Sequence, residues 1–242
     1  MKIVEFIKVE KSFSLKDIGG QKQRVLRGLS FVVNKGEILG LVGLNAQGKS
    51  TTIKIMLGLL FPDRGDVIVF DSYPGDLKIK KKISYLPENP VFFESLNAIE
   101  FLSFVGRLRG LDKKNLKSSI GTLIEKVGLT GNEKKPIRKY SKGMLQRLGL
   151  AQAFIGNPEL VILDEPLNGL DPLGRKMARD LIIEANKEGS TIFFTSHILE
   201  DIEKICSRVG ILHKGELLKI VEAPELQEKP LEDIFLGVIE QQ

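Results

Sequence analysis

The chain of 242 residues carries one cysteine, Cys206, so no disulfide can form within it, and its redox chemistry fits a reducing compartment. No apolar run reaches the roughly 18 residues that a membrane-crossing helix needs. The opening residues, MKIVEFIKVEK, interleave charge with apolar side chains, unlike the continuous apolar stretch of a secretory signal. A cytoplasmic protein is the expectation. Neither repeats nor low-complexity stretches occur, and no charge sign dominates: 36 Lys and Arg face 31 Asp and Glu, a net +5. So mild an excess would suit nucleic acid, an anionic membrane surface or a polyanionic nucleotide, and selects none of them. A hydrophobic content of 42% excludes disorder, and the length allows one large domain or two modest ones.

The most informative stretch is Ile38 to Ser50. Ile38 to Val42 is a short continuous apolar run, as expected of a strand buried on both faces of a parallel sheet. A helical segment, Thr51 to Leu60, follows. The intervening loop, Gly43-Leu44-Asn45-Ala46-Gln47-Gly48-Lys49-Ser50, fits the phosphate-binding pattern G-x-x-x-x-G-K-[ST]. Gly43 and Gly48 allow the backbone, through Asn45, to turn its N–H groups toward phosphate oxygens, and the helix N-terminus adds positive potential. Lys49 can reach β- and γ-phosphates, and Ser50 can offer its hydroxyl to Mg²⁺. Binding of a nucleoside triphosphate follows.

Before this loop, Lys2 to Val9 and Val25 to Val33 have strand composition, with a polar loop, Lys16 to Arg24, between them. Phe13, at the mouth of that loop, reads as core on residue type alone. Beyond the phosphate loop, Val67 to Phe70 and Ile83 to Leu86 read as strands joined by a solvated basic run, Lys78 and Lys80 to Lys82. From Ser95 to Gly156 the pattern is helical throughout. Asn97 with Glu100 marks one helix start, Leu116 to Val127 a second stripe ended by Gly128, and Ser141 the cap of a third. Strand character returns at Leu160 to Leu163. Asp171-Pro172 then starts a helix whose stripe runs Leu173, Met177, Leu181, Ile182 and Ala185. Thr191 to Thr195 is a further strand, Val209 to Leu212 and Leu217 to Ile220 flank a Lys214-Gly215 turn, and the tail helix has one apolar face. The divisions expected are a discontinuous α/β core over 1–87 and 157–222, an inserted helical block over 88–156 and a helical tail over 223–242.

Acidic residues at the end of an apolar strand suit the metal of a triphosphate site. Asp164 is the candidate for the Mg²⁺ water shell; Glu165, one residue on, can orient or deprotonate an attacking water. His197 follows another strand and reaches the same sheet edge by position alone.

Taken in order, GLNAQGKST, YLPEN, YSKGMLQR, LVILDEP, NGLD and TSH resemble the nucleotide-binding subunit of an ATP-binding cassette (ABC) transporter, in particular the ATPases of ABC-2-type exporters. The resemblance runs from Phe13 to the tail helix. It implies an α/β P-loop NTPase (RecA-like) core with an antiparallel β subdomain and an inserted helical subdomain. It implies ATP hydrolysis with Mg²⁺, a separate membrane permease that is energised, and a homodimer or heterodimer of ATP-binding subunits on the cytoplasmic face. It also implies residue roles. Phe13 would stack on adenine, Lys49, Ser50 and Thr51 would hold phosphate and Mg²⁺, and His197 would hold the γ-phosphate and attacking water. Ser141 and Gly143 would meet the nucleotide of the other subunit, and Asp171 would lie at the dimer interface.

Three departures from the family pattern stand out. Ala46 replaces a glycine, and the loop there is expected not to need a positive φ. Glu88 stands where a glutamine usually couples Mg²⁺ to the permease and adds negative charge beside the metal. The signature reads Tyr140-Ser141-Lys142-Gly143-Met144, in which Lys142 adds attraction for phosphate and Met144 forfeits a hydrogen bond. A soluble relative acting on nucleic acid or ribosomes is the alternative. Against it, only roughly ninety residues, whose helices are ordinary and lack sustained heptads, separate Lys49 from Ser141, and there is one cassette. No nucleic acid is expected as a partner. A nucleotide kinase or GTPase fits less well, since Asn186-Lys187 lacks the guanine-reading aspartate of GTPases and those families have no signature motif.

Overall fold

The computed structural model of the chain describes residues 1–15 and 21–240. In chain order the elements are β1 (Lys2–Leu15), β2 (Gln21–Asn34), β3 (Ile38–Val42), α1 (Lys49–Met56), β4 (Arg64–Val69), α2 (Leu77–Lys80) and β5 (Ile83–Leu86). Then follow α3 (Ala98–Leu108), α4 (Lys113–Lys126), a 3-10 turn (Ile137–Lys139), α5 (Lys142–Phe154), β6 (Leu160–Asp164), α6 (Pro172–Lys187) and β7 (Thr191–Ser196). The last are α7 (Leu199–Glu203), β8 (Arg208–His213), β9 (Glu216–Glu222), α8 (Ala223–Glu228) and α9 (Leu231–Ile239). Mixed α/β is the class expected. The chain forms two compact units, Met1–Lys80 with Phe193–Gln242, and Lys81–Ile192. This division groups β5, β6 and α6 with the helices, where the sequence reading grouped them with the core.

In the first unit, β2, β1 and β4 form an antiparallel sheet. Composition suggested strands here, but β1 alternates poorly, and a bulge explains why. Lys8 has φ 46° and the register shifts between Phe6 and Val9, so both side chains are buried although they lie an odd number of residues apart. Part of the polar loop expected over Lys16 to Arg24 is strand instead, because β2 already starts at Gln21; Lys16 to Gly20 lie outside the described residues. Phe70 also leaves its expected strand. With Asp71 it has positive φ, in a turn closed by Val69 and Ser72.

β3 pairs parallel with β8, and β8 pairs antiparallel with β9 through the expected hairpin. Its two-residue turn has φ 47° at Lys214 and 82° at Gly215, the left-handed pair that suits a twisted hairpin. Arg208, at the start of β8, donates to Glu37 at 3.0 Å and 3.1 Å and to Glu222 at 3.0 Å, joining the entrance of β3 to the end of β9. The expected solvated run of lysines is broken at Lys80. Its ammonium donates to the Leu57 carbonyl and burial pushes its pKa down. Cys206 is buried against Gly40, where an added Cβ would stand 2.8 Å from the sulfur, and desolvation pushes its thiol pKa up. In α9, Leu231, Ile234 and Phe235 are buried, as its apolar face predicts.

In the second unit, β5 and β6 pair parallel, from Ile83 opposite Leu160 to Leu86 opposite Leu163, with α5 packed against both. The helix starts are where the sequence puts them. Asn97 and Glu100 form a reciprocal capping box, Ser141 accepts from the Met144 N–H at 3.2 Å, and Asp171 from the Gly174 N–H at 2.7 Å. The stripe of α6 begins one residue later than read. Leu173 is 77% exposed, and Gly174, Ala178, Leu181, Ile182 and Ala185 face inward. Among the described residues no helix is long and apolar enough to cross a membrane.

Candidate functional site

Strand β3, buried at every position, delivers the loop at its C-terminal end, and α1 carries the chain away. Space and conformation account for both glycines of the motif. A Cβ at Gly43 would lie 2.5 Å from the Leu212 carbonyl oxygen, and one at Gly48 would lie 2.7 Å from Leu26 Cδ2 with φ at 109°. Lys49 is only 7% exposed; its ammonium curls back to donate to the Gly43 carbonyl at 2.6 Å and the Leu44 carbonyl at 3.3 Å. A buried cation held over a glycine turn at a helix N-terminus is a receptor for an anion. Asn45 is exposed on the loop, and in the first turn of α1 Ser50 is exposed and Thr51 half-buried. The Gln47 side-chain oxygen accepts from the Lys214 N–H, so the β8–β9 turn braces the loop.

Ala46 overturns one expectation. Its φ is 62°, so this position does need the left-handed region, and an alanine occupies it. Left-handed strain of about 1–2 kcal/mol exceeds the extra entropy, about 0.5–1 kcal/mol, that a glycine loses on folding. Ala46→Gly is therefore expected to stabilise the fold by about 0.5–1 kcal/mol in chemical denaturation.

Two more site candidates lie in this unit. Phe13 is 38% exposed on β1, opposite Gln23, with the Lys11 ammonium 5.7 Å from its ring centroid. Residue type alone suggested core, and the strand turns the ring outward instead. His197 is exposed directly after β7, where the Ser196 hydroxyl accepts from the Ile198 N–H at 3.0 Å.

The second unit holds the acids and the signature. Asp164 ends β6, 4% exposed, and Glu165 follows, 5% exposed. Glu165 has φ 49°, which is rare for a residue with a side chain and typical of strained functional positions. Glu88 is exposed beyond β5. Burial, then the charges of Asp164 and Glu88, push the Tyr85 phenol up from 10.0 to about 12. Since the folded chain keeps this proton and the unfolded chain gives it up near pH 10, stability is present below that pH and is lost between pH 10 and about 12. Tyr85→Phe should remove that alkaline slope, as read from denaturation midpoints against pH.

Ser141 and Gly143 come together with Asp171. They line one open pocket of about 430 Å³ with Met144, Arg147 and Gly169. The Lys142 stem lies over Gly169, whose added Cβ would be 3.1 Å from Lys142 Cε. Gln146 and Arg147, which close the YSKGMLQR stretch but received no role from the sequence, bind the loop that follows Glu165. Gln146 Nε2 donates to the Pro166 carbonyl at 2.8 Å and Arg147 meets Asp171 at 3.4 Å. Nothing in the local pattern distinguishes them from other helical polar residues.

The side chains that the sequence nominates for Mg²⁺, Ser50 in the first unit and Asp164 and Glu88 in the second, each offer oxygen, the donor that Mg²⁺ prefers. Among the described residues no group of three His, Cys, Asp or Glu side chains could hold a metal by itself.

The chain is similar to known proteins in sequence and in fold. An uncharacterized ABC transporter ATP-binding protein of Synechocystis is 44% identical over 218 residues, 89% of this chain and 62% of its own length. The bacitracin transport ATP-binding protein BcrA of Bacillus licheniformis is 41% identical over 210 residues, 86% of this chain and 68% of its own. Among solved structures, an ATP-binding subunit of an ABC transporter superposes with a TM-score of 0.88 at 29% identity, over 98% of this chain and 99% of that one. The chain spans about three fifths of the length of the Synechocystis relative and of a second one from Nostoc. Residues 26–168 match the family described as ABC transporter, and the chain belongs to it.

Proposed function

We propose that the chain is the ATP-hydrolysing subunit of a membrane exporter, working as a dimer with a separate permease on the cytoplasmic face. The observation that carries this reading is the pairing of two anion-binding features in one chain. The Gly43–Ser50 loop encloses its lysine, and the Ser141 helix start opens onto a pocket of its own. In a dimer the first would hold ATP and the second would close over the γ-phosphate held by the other chain. Ser141 accepts a backbone N–H through Oγ, which leaves its O–H as a donor toward phosphate.

Within this reading Lys49 and the loop amides, that of Asn45 included, neutralise the β- and γ-phosphates, and Phe13 presents its ring to adenine. Ser50, with Thr51 beside it, Asp164 and Glu88 would hold Mg²⁺, which supplies charge neutralisation at the phosphates when bound. Glu165 accepts the proton of the attacking water, His197 donates to the γ-phosphate, and Asp171 lies where the two chains meet. Hydrolysis breaks the bond between the β- and γ-phosphates, and departure of the γ-phosphate as inorganic phosphate would take away the charge that bridges the two chains and let the dimer open. The relatives named for bacitracin transport and linearmycin resistance support export as the direction. The test is to solubilise native membranes and capture this chain. A membrane-spanning protein should copurify and stimulate Mg²⁺-dependent ATP hydrolysis; recovery with nucleic acid alone would overturn the reading.

A further inference from the structure

The signature helix grips the loop that carries Glu165 at both of its ends. Residues 165–171 leave β6, pass Pro166 and Asn168, and arrive at Asp171, the cap of α6. At the first end, Gln146 is 4% exposed and donates Nε2 to the Pro166 carbonyl at 2.8 Å. At the other end its neighbour Arg147 reaches Asp171 at 3.4 Å, while its second nitrogen donates to the Val127 carbonyl at 3.2 Å. These contacts come from consecutive residues on α5, whose first turn begins at Ser141.

The grip explains how Glu165 keeps an unfavourable backbone. A left-handed residue that is not glycine persists only where its surroundings fix it. The Asn168 N–H donates to the Glu165 carbonyl at 3.1 Å, folding the loop back on itself. The next residue, Pro166, has no N–H to contribute, so its carbonyl is the one backbone polar group it offers to a side chain. Gln146 supplies that side chain, from a buried position where an unmade bond is costly.

We propose that Gln146 is the positioning residue that holds Glu165 in its left-handed conformation, and that α5 thereby links the pocket at Ser141 to the carboxylate of the same chain. The catalytic part of this inference rests on the function proposed above. In a dimer the pocket at Ser141 faces the other chain's nucleotide. A shift of α5 on filling that pocket moves Pro166, and with it Glu165, so one nucleotide site sets the readiness of the other.

Two measurements test it, and the first needs no catalysis. Without nucleotide, Gln146→Met, which keeps the shape and loses the donor, should speed hydrogen exchange at the Asn168 amide about tenfold or more. Unchanged exchange overturns the proposal, whatever the chain hydrolyses. The second uses Gln146→Glu, whose carboxyl can donate to the Pro166 carbonyl only when protonated. Its kcat relative to that of the parent chain should rise as pH falls from 8 to 6, with KM for ATP within about twofold and Gln146→Met flat with pH. A pH-independent ratio, or a loss confined to KM, overturns the positioning role. Absence of ATP hydrolysis in the parent chain with its membrane partner would count against the proposed function, and the exchange result would stand on its own.

Discussion

Glu165→Gln is expected to slow ATP hydrolysis by about 100-fold or more, the usual weight of a general base, while leaving ATP binding intact. Glutamine keeps the shape of the buried side chain and its left-handed backbone, so the change is confined to the loss of a proton acceptor. Removing the charge also removes repulsion between the carboxylate and the γ-phosphate. The variant should therefore accumulate as an ATP-bound dimer, visible as a shift to twice the mass in size-exclusion chromatography with ATP and Mg²⁺. Turnover within a few-fold of the parent chain would exclude Glu165 as the base.

Lys49→Ala should act earlier, on binding itself. The ammonium is enclosed by the loop it serves, with two backbone carbonyls as its neighbours, so its removal leaves those carbonyls facing incoming phosphate. ATP affinity should fall about tenfold or more and hydrolysis by about 100-fold or more, as expected when a charged donor aimed at a phosphate is lost. Titration with a fluorescent ATP analogue separates the two effects. Unchanged affinity would mean that phosphate binds elsewhere.

Much of this was legible in the sequence, and the reasons are local. Asn97, Ser141 and Asp171 announce their helices because a short polar side chain satisfies N–H groups within the next three residues. The strand β3 and the loop after it were readable for the same reason: a buried parallel strand is all apolar, and a phosphate turn needs glycine where side chains collide. What escaped depends on partners distant in sequence or on single backbone angles. The bulge at Lys8 makes β1 look irregular when read residue by residue, although its inward face is continuous. Leu173 looks like the head of a helical stripe, and only the packing of α6 tells that the small residue after it faces inward. Ala46 and Glu165 adopt left-handed conformations that their residue types argue against, so composition pointed the wrong way at Ala46 and was silent at Glu165. Gln146 is an ordinary helical polar residue until the carbonyl twenty positions later is known.

The burial of Cys206 has a practical side. The one thiol of the chain is enclosed by Ile202 and Gly40, and desolvation keeps it in the unreactive protonated form at neutral pH. Maleimide dyes and spin labels will therefore pass over it while the protein stays folded. Cysteines introduced at exposed positions such as Phe13 or Leu173 can carry a probe pair without first deleting the natural one. Conversely, any modification of Cys206 clocks the opening of its unit, so the native chain comes with its own unfolding reporter.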